Sequence, residues 1–213
     1  MTRTRTVVLG AALAAAVVYA VMWVGFLQNW GWLHGLDWSL LTAAHDVAVK
    51  HPGWLRFWAG LSTVLGPEPL RLLGAAVAVV LLVLRRLRAA LLVVACAPLN
   101  GLVTTGVKAL ANRPRPPTML VYAPSTSFPS GHALETTAAW LALLILLLPV
   151  LSRSLRGVAT VVTAVILLLV GISRVALNVH YPSDVLAGWS LGYLYFLLCL
   201  LVFRPRSVLV TAQ

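Results

Sequence analysis

Acidic residues are scarce in this chain: five Asp and Glu stand against sixteen Lys and Arg, and charged residues make up only 10% of the 213. No carboxylates are paired along the sequence in the way that a two-metal centre requires. Cysteine is almost absent, because Cys96 and Cys199 are the only two and both lie in apolar runs. We expect them to be small core or lipid-facing residues, with no disulfide and no metal site.

Hydrophobic residues are correspondingly abundant, at 61% of the chain with a mean hydropathy of +0.94. Soluble domains are far less apolar, so the composition predicts an integral membrane protein in a lipid bilayer. The net charge of +11 could indicate nucleic-acid binding, but the basic residues are dispersed and form no stripe on a soluble module. Basic loops that flank membrane helices explain the charge, and nucleic acid is not an expected partner.

A membrane-spanning helix needs about 20 mainly apolar residues. The apolar runs predict an all-α, polytopic membrane protein, one domain over residues 1–213, with six spans at 7–27, 70–84, 89–107, 133–151, 158–172 and 185–203. The first run is expected to be a retained helix rather than a signal peptide. Residues 29–50, with three tryptophans, are predicted to lie at the membrane interface. Residues 54–65 are amphipathic and end at a break over 66–69, either separate from the second span or joined to it.

Six spans place both ends of the chain on one side, and the basic residues indicate which side. Nine of the sixteen Lys and Arg fall on that face, namely Arg3, Arg5, Arg85, Arg86, Arg88, Arg153, Arg156, Arg204 and Arg206. Short cytoplasmic loops carry the excess of Lys and Arg in membrane proteins. We therefore predict a multi-pass protein of the cell membrane with cytoplasmic termini.

Three polar blocks interrupt the apolar sequence, at 108–116, 129–132 and 173–184. Ionisable groups are expensive at a membrane and are functional by default. Each block lies at the outer end of a predicted span, so helix packing can join them at the extracytoplasmic end of the bundle. Their cations suit a multiply charged oxyanion, and their histidines and carboxylate suit proton transfer or nucleophilic attack. Together they predict a phosphoryl-transfer site.

The first block ends a helix with Lys108 and places Arg115 between Pro114 and Pro116. The prolines fix φ and exclude α geometry just before them, which would hold Arg115 pointing inward. The alternative is a basic interfacial anchor followed by a proline stop.

In the second block, Ser130 is placed to cap an apolar helix, and Gly131 lets backbone amides approach a ligand closely. Unpaired N–H groups at a helix N-terminus bind anions, so His132 would sit beside a bound phosphate and protonate a leaving oxygen. The alternative is a helix cap followed by an interfacial histidine.

In the third block, His180 and Asp184 are four residues apart, and Pro182 interrupts regular helix between them. A carboxylate that accepts Nδ1–H would fix the imidazole tautomer and leave Nε2 free to attack. The alternative is a buried His–Asp pair that closes the loop. A metal site is disfavoured because the cations of the blocks would repel a divalent ion, and no cofactor is expected.

The three blocks resemble the signature of the type 2 phosphatidic acid phosphatase superfamily, written KxxxxxxRP, PSGH and SRxxxxxHxxxD. This chain has the expected residue at every position of the signature, which extends over 108–184. These residues are Lys108, Arg115, Pro116, Pro129, Ser130, Gly131, His132, Ser173, Arg174, His180 and Asp184. The order of the blocks and the six-span layout match the membrane-bound lipid phosphatase branch. The resemblance therefore covers most of the chain.

The resemblance implies a phosphatase that needs no metal and works through a phosphohistidine intermediate. His180 would be the nucleophile, Asp184 its orienting partner and His132 the acid that protonates the leaving group. The groups that would hold the phosphate oxygens are the side chains of Lys108, Arg115, Ser130 and Arg174 and the amide of Gly131. Soluble members of the superfamily lack the spans, which favours a lipid substrate for this chain.

Glu135 lies outside the signature, three residues after His132 and on the same helix face. It would tune His132, pair with a nearby cation or meet a polar group of the substrate. The alternative is a hydrogen-bonded glutamate that faces the bundle interior. Weaker candidates for the rim or the supporting shell are Asn112, Arg113, Ser173, Asn178 and Tyr181.

An outward-facing site suits polyprenyl diphosphate, undecaprenyl or decaprenyl, hydrolysed to the monophosphate at the outer leaflet. Phosphatidylglycerophosphate and phosphatidic acid are the alternative substrates. An anion or lipid transporter would need polar residues deep within several spans, and here they cluster at one end. A catalytically silent lipid-binding relative would be expected to lack His180 or His132, and both are present. A homo-oligomer is left open.

Overall fold

The computed structural model describes residues 3–205, so Arg206 of the predicted basic face lies outside the described residues. Over this range the chain forms nine α-helices and no β-strand, which confirms the all-α prediction. The helices are α1 (Arg3–Leu27), α2 (Gly31–Lys50), α3 (Pro52–Val64), α4 (Pro67–Val83), α5 (Leu87–Cys96), α6 (Asn100–Ala111), α7 (Gly131–Leu147), α8 (Arg153–Ala176) and α9 (Pro182–Phe203). A short 3₁₀ turn, Leu148–Val150, follows α7.

Six helical stretches are long and apolar enough to cross a membrane, as the sequence predicts. They are Arg5–Leu27, Pro52–Val83, Leu87–Ala111, Gly131–Val150, Arg153–Ala176 and Pro182–Phe203. Their outward surfaces are apolar: Leu72, Val83 and Leu102 are 75%, 76% and 72% exposed. Exposed apolar surface on this scale marks contact with lipid. The protein is therefore a multi-pass membrane protein.

The second span is bent at residues 65 and 66, between α3 and α4. The predicted break is confirmed there, and of the two arrangements expected, the joined one is found because a single stretch, Pro52–Val83, contains both helices. Pro67 begins α4 directly after Gly66, at a position where the missing N–H of proline is not needed.

The predicted third span is confirmed as the stretch Leu87–Ala111, and the structure adds an interruption at residues 97–99. Pro98 lies in the gap between α5 and α6 and has no N–H to continue the helix. Asn100 stabilises the break, because its Nδ2 donates to the carbonyl oxygen of Cys96 at 2.6 Å and to that of Glu135 at 3.0 Å. Side chains often satisfy backbone groups that a proline frees within a membrane.

Glycines on α9 allow it to pack closely against α7. A Cβ atom at Gly188 would lie 2.7 Å from the carbonyl oxygen of Ser130, and one at Gly192 would lie 2.5 Å from that of Leu134. Small residues at helix interfaces permit this kind of backbone contact in membranes. The packing brings the N-terminus of α7, which carries His132, next to the N-terminus of α9, which carries Asp184.

The segment predicted to lie at the membrane interface forms α2. Its Leu33, Asp37 and Leu41 are buried at intervals of four residues, so one face of the helix packs against the rest of the protein. Leu33 contacts a cluster that includes Met22 and Phe128. The buried face of α2 thus carries one of the few carboxylates of the chain.

Both cysteines are free and buried. Cys96 and Cys199 lie in one apolar cluster with Leu92, Ala138 and Phe196, between α5, α7 and α9. Of the two placements expected for the thiols, the core placement is confirmed.

Candidate active site

The three polar blocks meet at a cavity of about 570 Å³, at the end of the bundle where α4 and α7 begin and α6 ends. Its lining includes six residues of the signature: Lys108, Arg115, Gly131, His132, Arg174 and His180. Arg71, Thr104 and Glu135, which are not part of the signature, line the same cavity. Two histidines and four cations therefore face one volume, which suits a multiply charged anion.

Arg115 holds the ring of His180 at the cavity wall. Its Nη1 lies 3.1 Å from His180 Nε2 and also donates to the carbonyl oxygen of Val179 at 2.7 Å. A guanidinium group has donors only, so Nε2 is the unprotonated ring nitrogen and Nδ1 carries the proton. The Nε of Arg115 donates to the carbonyl oxygen of Ser125 at 2.6 Å, which fixes the arginine. The lone pair of Nε2 therefore lies among the cations of the cavity and accepts a hydrogen bond from Arg115.

Asp184 is fully buried behind His180. Its Oδ2 lies 3.5 Å from His180 Nδ1 and accepts hydrogen bonds from the hydroxyl of Ser127 and, at 2.9 Å, from the N–H of Tyr181. Its Oδ1 accepts from Arg113 Nη1 at 2.7 Å. The carboxylate is therefore held by three donors, and its position relative to the imidazole is set by the fold.

The pKa of His180 is held well below its usual value of 6.5. Burial is the largest cause, and the positive charges of Arg115, Lys108 and Arg174 add to it. A hydrogen bond with the backbone of Ser127 opposes these effects without outweighing them. The ring is therefore neutral at neutral pH, which is the state a nucleophile requires.

Arg113 links Asp184 to a second buried carboxylate, Asp37 of α2. Its Nη2 donates to Asp37 Oδ2 at 2.8 Å, while Nη1 donates to Asp184 at 2.7 Å. Asp37 also accepts from the N–H of Ser183 at 2.9 Å and from its hydroxyl at 2.6 Å. Burial opposes the charge of Arg113, but the Asp184 and Asp37 carboxylates outweigh it and raise the pKa of the guanidinium. Helix α2 is thereby tied to the loop that carries His180.

Lys108 and Arg174 complete the cationic wall. Lys108 Nζ donates to the carbonyl oxygen of Thr126 and lies 3.4 Å from that of Ser127. Arg174 Nη1 donates to Ser62 Oγ at 2.5 Å, whereas its buried Nε has no hydrogen-bond partner among the described residues. Buried donors are nearly always paired, so this N–H is available to a ligand oxygen.

The second block forms the first turn of α7, as the sequence predicts. Ser130 is the N-cap, and its Oγ accepts from the N–H of Ala133 at 3.4 Å. Ser130 is fully buried and lies outside the cavity lining, so its placement differs from the expectation that its hydroxyl faces the phosphate. Gly131 and His132 do line the cavity, and His132 Nε2 lies under the α3–α4 bend, 3.3 Å from where a Cβ of Gly66 would be.

Glu135 also lines the cavity and pairs with a cation, one of the roles expected for it. Arg71 Nη2 on α4 donates to Glu135 Oε2 at 2.5 Å. The weaker candidates lie outside the cavity lining. Asn112 is exposed and ends α6 in the left-handed conformation, and Ser173 donates to the carbonyl oxygen of Val170 within α8. Tyr181 precedes α9 and stacks its ring on the Arg113 guanidinium at 3.9 Å.

Sequence reasoning missed three buried supports of the site: Asp37, Ser62 and Ser127. Asp37 carried a usable signal, because a carboxylate is rare in this chain and this one shares a helix face with Leu33 and Leu41. The two serines carried none, because isolated serines are common and their partners lie more than 50 residues away in the chain.

Comparison with known proteins gives a matching family and several similar proteins. Residues 87–207 match the model of the PAP2 superfamily. Phosphatidylglycerophosphatase B of Bacillus subtilis is 44% identical over 82 residues, which are 37% of this chain and 40% of that protein. Decaprenylphosphoryl-5-phosphoribose phosphatase of Mycobacterium tuberculosis is 34% identical over 165 residues, which are 72% of this chain and 83% of that protein.

The fold has a counterpart among solved structures. A crystal structure of a transmembrane PAP2-type phosphatidylglycerolphosphate phosphatase from Bacillus subtilis superposes with a TM-score of 0.76 at 25% sequence identity. The match covers 91% of this chain and 96% of that one. The family match over more than half of the sequence, together with the relative aligned over 72% of it, shows that the chain belongs to the PAP2 superfamily of phosphatases.

Proposed function

We propose that the protein is a metal-independent lipid phosphatase that cleaves a phosphate ester or diphosphate through a phosphohistidine intermediate, with polyprenyl diphosphate as the substrate. One observation carries the mechanism: the unprotonated Nε2 of a neutral, buried His180 lies in a cavity lined with cations. Neutral imidazole is a competent nucleophile, and the surrounding cations would draw a phosphate group to it.

In the first step, His180 Nε2 attacks the terminal phosphorus, the N–P bond forms and the bond from phosphorus to the leaving oxygen breaks. His132 gives its proton to that oxygen, so a diphosphate leaves as the lipid monophosphate. The imidazole becomes positively charged as the N–P bond forms. Asp184, 3.5 Å from Nδ1, stabilises that charge.

In the second step, water attacks the phosphorus of phosphohistidine, the N–P bond breaks and inorganic phosphate leaves. His132, deprotonated in the first step, takes a proton from the water and so returns to its starting state. His180 is released neutral. The sum of the two steps is hydrolysis, with one water consumed for each phosphate released.

Charge on the transferring phosphoryl group would be stabilised by Lys108, Arg115, Arg174 and the first turn of α7. The unpaired Nε of Arg174 supports this assignment, because phosphate oxygens supply the acceptor it lacks. The amide of Gly131 adds a donor at the positive end of the α7 dipole. Ser130 lies outside the cavity lining and contributes by capping α7, the helix that presents this amide.

Two further lipid phosphates are candidate substrates because similar proteins are named for acting on them. Phosphatidylglycerophosphate is favoured by the Bacillus subtilis relative and structural neighbour, and a decaprenylphosphoryl phosphate ester by the Mycobacterium tuberculosis relative. Phosphatidic acid remains the third candidate from sequence. Any of these would keep its tail among the apolar helix surfaces while its head group enters the cavity.

We propose cytoplasmic termini and a site that faces outward. Among residues 3–205, seven Lys and Arg lie on the side of the site, against eight on the other side. Five of the seven line the cavity or belong to its buried network, namely Arg71, Lys108, Arg113, Arg115 and Arg174. Of the seven, Lys50 and Arg56 then remain for comparison with the eight on the other side, which strengthens the positive-inside argument.

Phosphate release from lipids dispersed in detergent tests the proposal. Polyprenyl diphosphate, phosphatidylglycerophosphate and phosphatidic acid are compared with excess EDTA, and the H180A variant serves as the inactive control. We expect the fastest release from polyprenyl diphosphate, undiminished by EDTA. Faster release from another lipid would change the proposed substrate. Loss of all release in EDTA, or release by H180A equal to wild type, would refute the mechanism.

A further inference from the structure

Arg71, Thr104 and Glu135 line the cavity and lie outside the signature. Arg71 lies four residues inside α4 from Pro67, Glu135 four inside α7 from Gly131, and Thr104 four before Lys108 on α6. Four residues of α-helix are about 6 Å, so the backbone of each residue lies one turn inside Pro67, Gly131 or Lys108, at the end of the bundle where the site lies. The three side chains therefore start one helical turn deeper in the bundle, at what we call the deep side of the cavity.

Arg71 is oriented by a buried partner and keeps free donors. Its Nη2 donates to Glu135 Oε2 at 2.5 Å, and the Glu135 side chain is 6% exposed. Among residues 3–205 no other hydrogen bond of the Arg71 guanidinium is found, and its side chain is 39% exposed. A carboxylate that fixes one edge of a guanidinium leaves the other N–H groups preorganised for an oxyanion.

Thr104 provides a second, independent sign of a ligand. It is 6% exposed and its Oγ1 has no hydrogen-bond partner among the described residues. A threonine within a helix can bond the carbonyl four residues earlier, as the exposed Thr105 and the buried Thr136 and Thr137 do here. The side chain of Thr104 lines the cavity beside Gly131, where a Cβ would lie 3.0 Å from its Cγ2, and its unpaired hydroxyl is available to a ligand oxygen.

The charge balance permits an anion at this position. Glu135 is neutralised by Arg71, and the Glu68 side chain, 3.9 Å from Arg71, is 68% exposed and so screened by solvent. Lys108 adds positive charge from the adjoining wall, since a Cβ of Gly131 would lie 3.7 Å from its Cε and 3.5 Å from Glu135 Oε1. The deep side and the phosphate-binding side are thus contiguous.

We infer that Arg71 and Thr104, with Arg71 held by Glu135, form a subsite for a second phosphate, the one that stays on the lipid when the terminal phosphate is removed. The inference rests on the proposed function and narrows its substrate class. Lipids with a diphosphate, or with a phosphodiester between the scissile phosphate and the tail, fill the subsite. A simple lipid monophosphate such as phosphatidic acid leaves it empty.

Farnesyl diphosphate and farnesyl monophosphate test the subsite, because they share one tail and differ only in the second phosphate. Initial kcat/KM values are measured for both with purified protein in detergent, and the ratio of diphosphate to monophosphate is the readout. We expect R71Q to lower this ratio at least about tenfold, as for loss of hydrogen bonds to a charged group, and T104V to lower it about threefold. E135Q, which frees Arg71 from its fixed orientation, should lower it as well.

Two controls separate the subsite from general effects. R56Q removes an exposed arginine of α3 outside the cavity and should change neither rate nor ratio. R115Q weakens binding of the scissile phosphate and should lower both rates with the ratio kept. If R71Q fails to fold, R71K and T104V decide by the same ratio.

An unchanged ratio in R71Q and T104V would overturn the inference, because an ion pair that only ties α4 to α7 affects both substrates equally. The inference would also be overturned if the wild-type protein hydrolysed farnesyl monophosphate but not farnesyl diphosphate. The lipid phosphatase proposal would remain in that case. Wild-type failure on both substrates would overturn the inference and refute polyprenyl diphosphate as the substrate, and phosphate release from the other lipids would then decide the phosphatase proposal.

Discussion

Arg115 Nη1 lies 3.1 Å from Nε2 of His180, and this contact determines the state of the imidazole. An arginine cannot accept a hydrogen bond, so the facing nitrogen is the unprotonated one. The same guanidinium is one of the charges that lower the pKa of the ring. One side chain therefore selects the tautomer and keeps the ring neutral, and both conditions are needed for attack through Nε2.

Removal of the Arg115 charge should raise the pKa of His180 towards 6.5. In wild type, burial and three cations disfavour the imidazolium, so the ring stays neutral as the pH falls through 6.5. In R115Q one opposing charge is gone and protonation should occur at a higher pH. ¹⁵N NMR of histidine-labelled protein in detergent measures the titration, with the H180N spectrum identifying the His180 signal. A wild-type His180 ring protonated at pH 6.5 would contradict this explanation.

Asp37 should act on catalysis from α2, through Arg113. In D37N the Arg113 guanidinium loses a charged partner, and the Asp184 carboxylate it holds is less well fixed. We expect kcat to fall about tenfold, as for supporting groups behind a reactive residue, with KM little changed. The matched control is D46N, an exposed carboxylate on the same helix, which should behave as wild type. Equal kinetics for D37N and wild type would remove Asp37 from the catalytic network.

Close contact between α7 and α9 should make Gly188 intolerant of even one methyl group. The added Cβ would lie 2.7 Å from the backbone oxygen of Ser130, so G188A should lower the free energy of unfolding by about 1–3 kcal/mol. G106A adds the same atom where nothing lies within 4 Å and should be neutral or stabilising. Thermal unfolding in detergent compares the two. Equal stability of both variants would show that the interface is looser than described.

Much of the fold could be predicted from the sequence because the bilayer imposes its length on each apolar run. The six spans and the N-cap at Ser130 follow from local rules of this kind. The break at Pro98 was missed because apolar residues continue on both sides of it. At this break the Nδ2 of Asn100 donates to the carbonyl oxygen of Cys96, and it also donates to the carbonyl oxygen of Glu135 on another helix.

Within the site, the residues of the three blocks could be predicted from the sequence because each block is a short segment with a recognisable internal spacing. The pairings of Asp37 with Arg113 and of Ser62 with Arg174 could not be predicted, since these partners lie 76 and 112 residues apart in the chain. Pairing over such distances depends on tertiary packing and leaves no period in the sequence. The Arg71–Glu135 pair, 64 residues apart, was foreseen only as a cation near Glu135.

The orientation of the protein can be tested at two exposed positions. Tyr122, 87% exposed in the loop between α6 and α7, lies at the end of the site, and Leu155, 51% exposed at the start of α8, lies at the opposite end. In intact cells Y122C should react with an impermeant maleimide, and L155C should react only after permeabilisation. Native Cys96 and Cys199 are buried and give a low background. The reverse pattern would place the site in the cytoplasm.

The covalent intermediate tests the central claim most directly. Protein mixed with polyprenyl diphosphate labelled in its terminal phosphate is quenched within milliseconds in alkali, digested, and its peptides are mapped. We predict an acid-labile, alkali-stable phosphate on His180 of wild type and none in H180A, which should also lose turnover. Label on another residue, or H180A that still turns over without a phosphohistidine, would contradict His180 as the nucleophile.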